Sequence, residues 1–314
     1  MTVNQQGEIL VITGPTASGK TELGVSLAQK LGGEVVSADS MQIYKYMDIG
    51  TAKPTEEEMR GIPHHMLSVV SPFESYSVSR YVTEAGACVD AILSRGKLPI
   101  LVGGTGLYIE SLVLGRSFAA GGAELGVRAE LERQYDEAGG GRMLDLLRSL
   151  DPERAAKLHP NDKKRIVRAL ELAQSGSTIS EHDELTKKAP PRYRAKYIVL
   201  GFEDREDLYR RIDRRVDVML EAGLMDEVRA LLDMGLPPEA TAMQAIGYKE
   251  SARYLRGEEE LKDAVENIKR GSRRYAKRQI SWCSRYEGAL RINWKNIPDF
   301  ADALHASTEF FAER

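Results

Sequence analysis

Ile9 to Leu31 reads ILVITGPTASGKTELGVSLAQKL, and this stretch decides the fold. Ile9–Thr13 is a short apolar run of strand length. Gly14 to Thr21, GPTASGKT, fits the pattern G-x-x-x-x-G-K-[ST]. Beyond it Leu23, Leu27 and Leu31 recur at helical spacing. Strand, glycine-rich turn and helix in that order make a phosphate loop, in which successive N–H groups and a helix N-terminus face an anion. Lys20 then reaches a terminal phosphate and the Thr21 hydroxyl holds a Mg²⁺. Gly14, Pro15, Thr16, Ala17, Ser18, Gly19, Lys20 and Thr21 are therefore the expected seat of a di- or triphosphate, with Thr21 as metal ligand.

Working outward, the first hundred or so residues alternate strand and helix. Glu34–Ala38 reads as a second strand, Met66–Val70 as a third, Ser79–Ser94 as a helix and Leu98–Val102 as a strand that runs into Gly103-Gly104. That alternation implies a parallel sheet with helices on both faces, and ligands at the carboxyl ends of its strands. Three places are selected: Gly14–Thr21, the segment after Ala38, and the segment after Val102. Near Ser117 the pattern changes. Ala119-Ala120-Gly121-Gly122 and Gly139-Gly140-Gly141 read as loose connectors in a helical, charged region, and Tyr197–Phe202 returns as a strand. The expected fold is α/β: a P-loop NTPase-like parallel core in residues 1–117, a mainly helical insertion in 118–190, and in 191–314 the rest of the core, its last strand followed by C-terminal helices.

The 314 residues are 42 % hydrophobic and 29 % charged, the balance of a globular protein. No run of eighteen apolar residues and no N-terminal signal core is present. Cys88 and Cys283 are isolated, which fits a reducing compartment and neither a zinc site nor a disulfide framework. A cytoplasmic monomer with no membrane contact and no obligate protein partner is expected. The net charge of −3 conceals a local excess. Ile268 to Arg285 holds Lys269, Arg270, Arg273, Arg274, Lys277, Arg278 and Arg285 and no acid, with Tyr275, Gln279, Trp282 and Tyr286 on another helical face. One face docks and the other presents cations, an RNA- or DNA-binding pattern.

Several residues are positioned for chemistry. Asp39 follows the second strand directly, beside the phosphate loop, where a carboxylate serves as a base or meets a metal; Asp and Ser also cap turns, so both readings stand. A nucleotide hydrolase usually carries a second acid at a strand end to hold Mg²⁺. Pro99–Val102 instead runs into Gly103-Gly104-Thr105-Gly106, which points away from hydrolysis, lets a backbone approach a ligand, and offers the Thr105 hydroxyl. Arg211 and Arg215 share a helix face and suit a phosphate grip, or else pair with Asp213 and Asp217. His64-His65 looks like a metal pair, but neighbours on an extended segment point oppositely, so at least one is structural.

Together these residues resemble the bacterial tRNA dimethylallyltransferase (tRNA isopentenyltransferase) family. The matching blocks are GPTASGKT at Gly14–Thr21, SADSMQIYKYMDIGTAKP at Ser37–Pro54, GGTGLY at Gly103–Tyr108, NDKKRIVRALE at Asn161–Glu171, AIGYKE at Ala245–Glu250 and YAKRQISW at Tyr275–Trp282. The resemblance implies that the loop binds the pyrophosphate of dimethylallyl pyrophosphate with Mg²⁺ and without ATP hydrolysis. It implies transfer to the exocyclic N6 amine of the adenosine at position 37 of tRNA, 3′ to the anticodon, with release of pyrophosphate. Asp39 becomes the general base, and Arg211 or Arg215 steadies the leaving group. Thr105 lies against the acceptor, and Ser40, Met41 and Gln42 hold the displaced base. Lys164, Arg165, Arg168, Tyr248, Lys249, Lys277, Arg278, Gln279 and Trp282 fall in segments that resemble contacts to the anticodon stem-loop, and the insertion grips the stem. The competing readings are a phosphate-loop kinase for a nucleoside or small metabolite, a nucleotide-gated RNA-binding protein without catalysis, and a relative that prenylates free AMP or ATP.

Overall fold

The computed structural model describes residues 7–116 and 126–313. Their elements are β1 (Glu8–Thr13), α1 (Lys20–Leu31), β2 (Gly33–Ser37), α2 (Glu56–Met59), β3 (His64–His65), α3 (Val78–Ser94), β4 (Leu98–Val102), α4 (Gly106–Leu114), α5 (Val127–Leu150), α6 (Pro152–Ala155), α7 (Lys163–Gln174), α8 (Ile179–Lys188), β5 (Arg194–Phe202), α9 (Arg205–Glu221), α10 (Leu224–Asp233), α11 (Tyr248–Leu255), α12 (Leu261–Cys283), β6 (Leu290–Trp294) and α13 (Phe300–Ala312). The six strands form one sheet in the order β3-β2-β4-β1-β5-β6, and every neighbouring pair is parallel.

The period of two along each strand divides the core. Ile9, Val11, Val36, Leu101 and Val199 face α3 and α4, through Tyr81, Ala85, Val89, Ile109 and Leu112. Leu10, Ile12, Val35, Ile100 and Leu200 face α1 and α13, through Leu23, Leu27 and Ala303. A strand buried on both faces needs a continuous apolar run, which Ile9–Ile12 supplies with no exposed surface at any of the four. A further core packs Ile43, Tyr44 and Met47, from the segment after β2, against Val216, Val228, Met243, Tyr248 and Ile268 of the helical C-terminal region.

The chain divides into two compact units. One comprises Met1–Val113 and Arg192–Arg314, and the other Leu114–Pro191. The second is helical, with its own core of Leu131, Met143, Leu147, Ile166, Val167 and Leu170. The Ala119–Gly122 connector read from the sequence lies outside the described residues. Of the Gly139–Gly141 connector, only Gly139 leaves helical geometry (φ 80°, ψ 153°), kinking a single helical span.

Two expectations are corrected. The third strand is His64–His65 and not Met66–Val70, because Met66 (φ 64°) and Ser68 (φ 52°) adopt left-handed backbone that ends extended pairing. Tyr197–Phe202 lies within the fifth strand, but that strand is not the last: β6 pairs beyond it at the sheet edge, and α13 covers it.

The two histidines each have a separate partner within the protein. His64 Nδ1 bonds the Ile62 carbonyl at 2.8 Å, and His65 Nε2 meets Glu34 Oε2 at 2.7 Å. Glu34 is buried at the start of β2 and also binds Arg95 and Lys97, at 2.8 and 3.0 Å. Desolvation pushes its carboxyl up, but the bonds from His65 and Lys97 and the charge of Arg95 outweigh it and hold the group at about 2. Its stabilisation is thus complete above the ordinary carboxylate range and is lost as pH falls towards 2. Glu34→Gln is expected to lower stability by about 2 kcal/mol at pH 7, after discounting for the half-exposed partners. Urea unfolding of the two proteins should show that difference shrinking between pH 4.5 and the folded-state value; a difference independent of pH contradicts the assignment.

Candidate functional site

The carboxyl ends of β1, β2 and β4 lie side by side, and main-chain bonds continue past the last paired residues. Ala38 N–H donates to Val102 O (2.8 Å), Gly103 N–H to Ile12 O (3.1 Å) and Thr105 N–H to Ala38 O (3.1 Å). The approach is so close that a Cβ on Gly103 would sit 2.2 Å from the Ala38 carbonyl oxygen, so only glycine fits. The three segments selected from the sequence are thereby brought together.

The phosphate loop is braced both from within and from outside. Pro15 O accepts from Lys20 Nζ (2.7 Å), Ala17 O from Arg211 Nε (3.1 Å), and Ser18 O from the indole of Trp294 (2.9 Å). Gly19 has φ 87°, and a side chain there would also strike the Phe300 ring. With three of its carbonyls occupied, the loop offers an anion the first N–H groups of α1, which have no intrahelical partner.

A cavity of about 850 Å³ opens over the loop. Thr16 to Thr21 form one part of its lining, Asp39 to Gln42 and Gly50 to Ala52 another, and Arg211, Arg215, Tyr275 and Arg278 a third. Asp39 Oδ1 accepts from the amides of Met41 (2.8 Å) and Gln42 (3.4 Å), so the carboxylate does cap the turn it begins. Both bonds use Oδ1, and Oδ2 accepts none among the described residues. Thr105 Oγ1 accepts from the Ser40 amide at 3.0 Å. Gln42 Nε2 donates to the carbonyls of Thr51 and Ala52, and its Oε1 accepts from the Ser37 hydroxyl.

Electrostatics favour an anion. Burial lowers the Lys20 ammonium, and Arg215 lowers it further; Asp39 and Cys283 oppose this, and the group settles at about 8. Arg215 is itself lowered by burial, against the pull of Asp39 and Glu58. Asp213 and Asp217 do not occupy Arg211 or Arg215. They pair with Arg273 (2.6 Å) and Lys269 (2.5 Å) of α12, leaving both arginines on the cavity.

Those pairs reduce the cationic excess read over Ile268–Arg285. The charges of Lys269 and Arg273 are consumed in docking against α9, with Glu266 also binding Arg273. Arg274, Lys277, Arg278 and Arg285 are exposed, and no ion pair joins them to an acid among the described residues. Lys277, Arg278 and Arg285 lie over the rings of Tyr209, Tyr275 and Trp282.

Two residues expected at the RNA, Tyr248 and Gln279, are buried, and Gln279 also lines the cavity. Tyr248 has no exposed surface, and its hydroxyl meets Glu227 Oε1 at 2.5 Å. Gln279 is 5 % exposed, with both ends of its amide bonded inside the protein. Lys249 is exposed and Trp282 half-buried. In the helical unit Lys164 is exposed, Arg165 pairs with Asp162 (3.3 Å) and Arg168 with Glu171 (2.8 Å).

Other site residues escaped sequence reasoning. Glu227 gathers the successive amides of Asp48, Ile49 and Gly50 at 2.8, 2.8 and 3.1 Å, fixing the segment that lines the cavity at Gly50–Ala52. Phe300 lines the cavity from α13. No spacing links either to the loops it serves.

The chain matches the family model described as IPP transferase over residues 42–286, and that described as isopentenyl transferase over residues 7–69. It is 49 % identical to a tRNA dimethylallyltransferase of Acetivibrio thermocellus, over 91 % of each chain. Among solved structures it is similar to the tRNA isopentenylpyrophosphate transferase of Bacillus halodurans, with 40 % identity, a TM-score of 0.73, and coverage of 98 % of this chain and 96 % of that one. It is also similar to a eukaryotic dimethylallyltransferase acting on tRNA, with 31 % identity, a TM-score of 0.82, and coverage of 98 % and 80 %.

An ammonium held at about 8 makes anion capture pH-dependent. Below that value Lys20 enters binding already charged; above it a proton must be taken up, which weakens affinity by up to about tenfold per pH unit. Titration calorimetry with inorganic pyrophosphate at pH 7 to 9.5 should show this loss in the wild type and its absence in Lys20→Met, which also corrects for ionisation of the ligand. Parallel pH profiles for the two proteins contradict it.

Proposed function

The chain belongs to the IPP transferase family and transfers a dimethylallyl group to tRNA, and we propose that the acceptor is the N6 amine of the adenosine 3′ to the anticodon, with Asp39 as general base. One observation carries the proposal: a single cavity is lined both by an anion-binding loop and by a carboxylate with an unengaged oxygen. Donor and acceptor meet there without a relay.

The reaction is a direct displacement. The N6 lone pair attacks the allylic carbon, the carbon–oxygen bond to pyrophosphate breaks, and the pyrophosphate departs with that electron pair. The N6 lone pair is delocalised into the purine and is a poor nucleophile, so removal of its proton by Asp39 Oδ2 assists the attack. Lys20, the loop amides and Arg215 meet the charge that builds on the leaving oxygens, and Arg211 holds the loop in place through Ala17 O. The adenine must leave its stack to enter the cavity, at reduced cost in a loop already partly unpaired. Ser40, Met41, Gln42 and Thr105 border the space it enters.

A Mg²⁺ would neutralise leaving-group charge, held at the protein by the Thr21 hydroxyl. Among the described residues no group of three or more His, Cys, Asp or Glu is assembled for a metal. Arg274, Lys277, Arg278, Arg285 and Lys249 supply the phosphate-facing charge, and the helical unit offers Lys164 for the stem. No described helix is long and apolar enough to cross a membrane.

The test is incubation with radiolabelled dimethylallyl pyrophosphate, Mg²⁺ and either unmodified tRNA or AMP. Label is expected in tRNA alone, and nuclease digestion should place it on the adenosine beside the anticodon; label in AMP, or ATP cleavage without transfer, contradicts the reading. Asp39→Asn keeps a side-chain oxygen to cap the turn but removes the base. Its turnover is expected to fall a hundredfold or more with tRNA affinity and thermal stability preserved; transfer near the wild-type rate means Asp39 is not the base. Lys277→Ala with Arg278→Ala should weaken tRNA binding and reduce the slope of affinity against salt by about two, while an unchanged slope takes α12 off the RNA surface.

A further inference from the structure

Gln279 stands between the two halves of the reaction. It belongs to α12, yet its side chain points away from that helix's exposed cations and into the protein. Its Oε1 accepts from the Thr16 amide of the phosphate loop at 2.8 Å. Its Nε2 donates to Gly104 O at 3.1 Å, in the segment that also carries Thr105. One partner is a main-chain donor and the other a main-chain acceptor, so the orientation of the amide is determined, and no other side chain of that length offers one of each without first taking up a proton. The contact is tight: a Cβ on Gly104 would lie 2.1 Å from Nε2.

The two bonded loops do different work. Thr16 belongs to the loop that cradles the anion, and its amide is committed to Gln279 and withheld from the ligand. Gly104 precedes Thr105, whose hydroxyl accepts the Ser40 amide next to Asp39. The Tyr275 hydroxyl, pushed up to about 12 chiefly by burial and by the charge of Asp39, lies beside both Thr105 and Gln279. A continuous chain of bonds thus runs from the anion cradle through Gln279 to Gly104, and through Thr105 to the segment of the carboxylate. No other side chain among the described residues is bonded to both loops.

We propose that Gln279 is a positioning residue for the transfer step, setting the distance and angle between the pyrophosphate cradle and the acceptor segment. The inference rests on the reaction proposed above. An attacking nitrogen and an allylic carbon held on separate loops react only in a narrow range of mutual placement, and an error of about 1 Å costs up to about a hundredfold in rate. Each substrate alone touches its own loop, so loss of the brace leaves the two separate affinities intact and reduces the chemical step.

The experiment compares wild type, Gln279→Met and Gln279→Glu in single-turnover transfer of labelled dimethylallyl to unmodified tRNA, with separate measurements of pyrophosphate affinity, tRNA affinity and thermal unfolding. Met fills the space and makes neither bond. Glu, assayed at a pH high enough to keep it ionised, keeps the acceptor for Thr16 but opposes the Gly104 carbonyl. Both are expected to lower the transfer rate about 10- to 100-fold, with both affinities within about threefold of wild type and a cooperative melt. A Gln279→Met rate equal to wild type overturns the proposal. So does a loss confined to pyrophosphate affinity, which makes Gln279 a part of the cradle alone, or a loss explained by the unfolded fraction. A wild type that labels no tRNA overturns the underlying reaction instead, and is told apart by that control.

Discussion

The site depends on three parallel strands whose carboxyl ends stay in hydrogen-bonding contact after the sheet has ended. The bonds from Ala38 to Val102, from Gly103 to Ile12 and from Thr105 to Ala38 carry the ladder one step further, into the loops. Parallel strands end on the same side, so an anion-binding turn, an acid and a hydroxyl at the tips of neighbouring strands necessarily meet. Gly103 is where this constraint is tightest, because the loops touch main chain to main chain. Burying these polar groups is tolerable since each finds a partner in the adjacent loop.

The helical C-terminal region completes what the sheet begins. Arg211 and Gln279 reach the phosphate loop from α9 and α12, Glu227 fixes the segment after Asp48 from α10, and Trp294 holds Ser18 from the edge strand. The same helix that presents Lys277 and Arg278 outward sends Gln279 inward. The surface proposed to meet the tRNA and the bracing of the cavity are therefore two sides of one helix. The ion pairs of Lys269 and Arg273 with α9 hold that element in place at the expense of part of its positive charge.

Much of this was legible in the chain. The phosphate loop announces itself because its chemistry demands particular residues at fixed spacing, and Ile9–Ile12 could only be a doubly buried strand. The end of the sheet was less readable. His64-His65 is too short to show a period, and its continuation is broken by left-handed residues that no propensity assigns to Met66. Leu290, Ile292 and Trp294 do alternate with Arg291 and Asn293, a usable signal for an edge strand that the surrounding helical pattern obscured. Gln279 reads on the docking face of its helix, and its RNA contact and that of Tyr248 are implied by the resemblance alone; no spacing shows which partners these buried side chains find. Glu227 could not be foreseen, since its bonds to Asp48 and Ile49 span nearly 180 residues.

In the proposed reaction donor and acceptor share one cavity, with Asp39 beside both. The most direct measurement is a crystal structure of the protein with a non-hydrolysable thiolo analogue of dimethylallyl pyrophosphate and an unmodified anticodon stem-loop. The pyrophosphate should lie on Lys20 and the loop amides, and the adenosine N6 within about 2.6–3.2 Å of an Asp39 oxygen. An analogue bound away from Gly14–Thr21, or an adenine whose N6 faces no part of Asp39, contradicts the account.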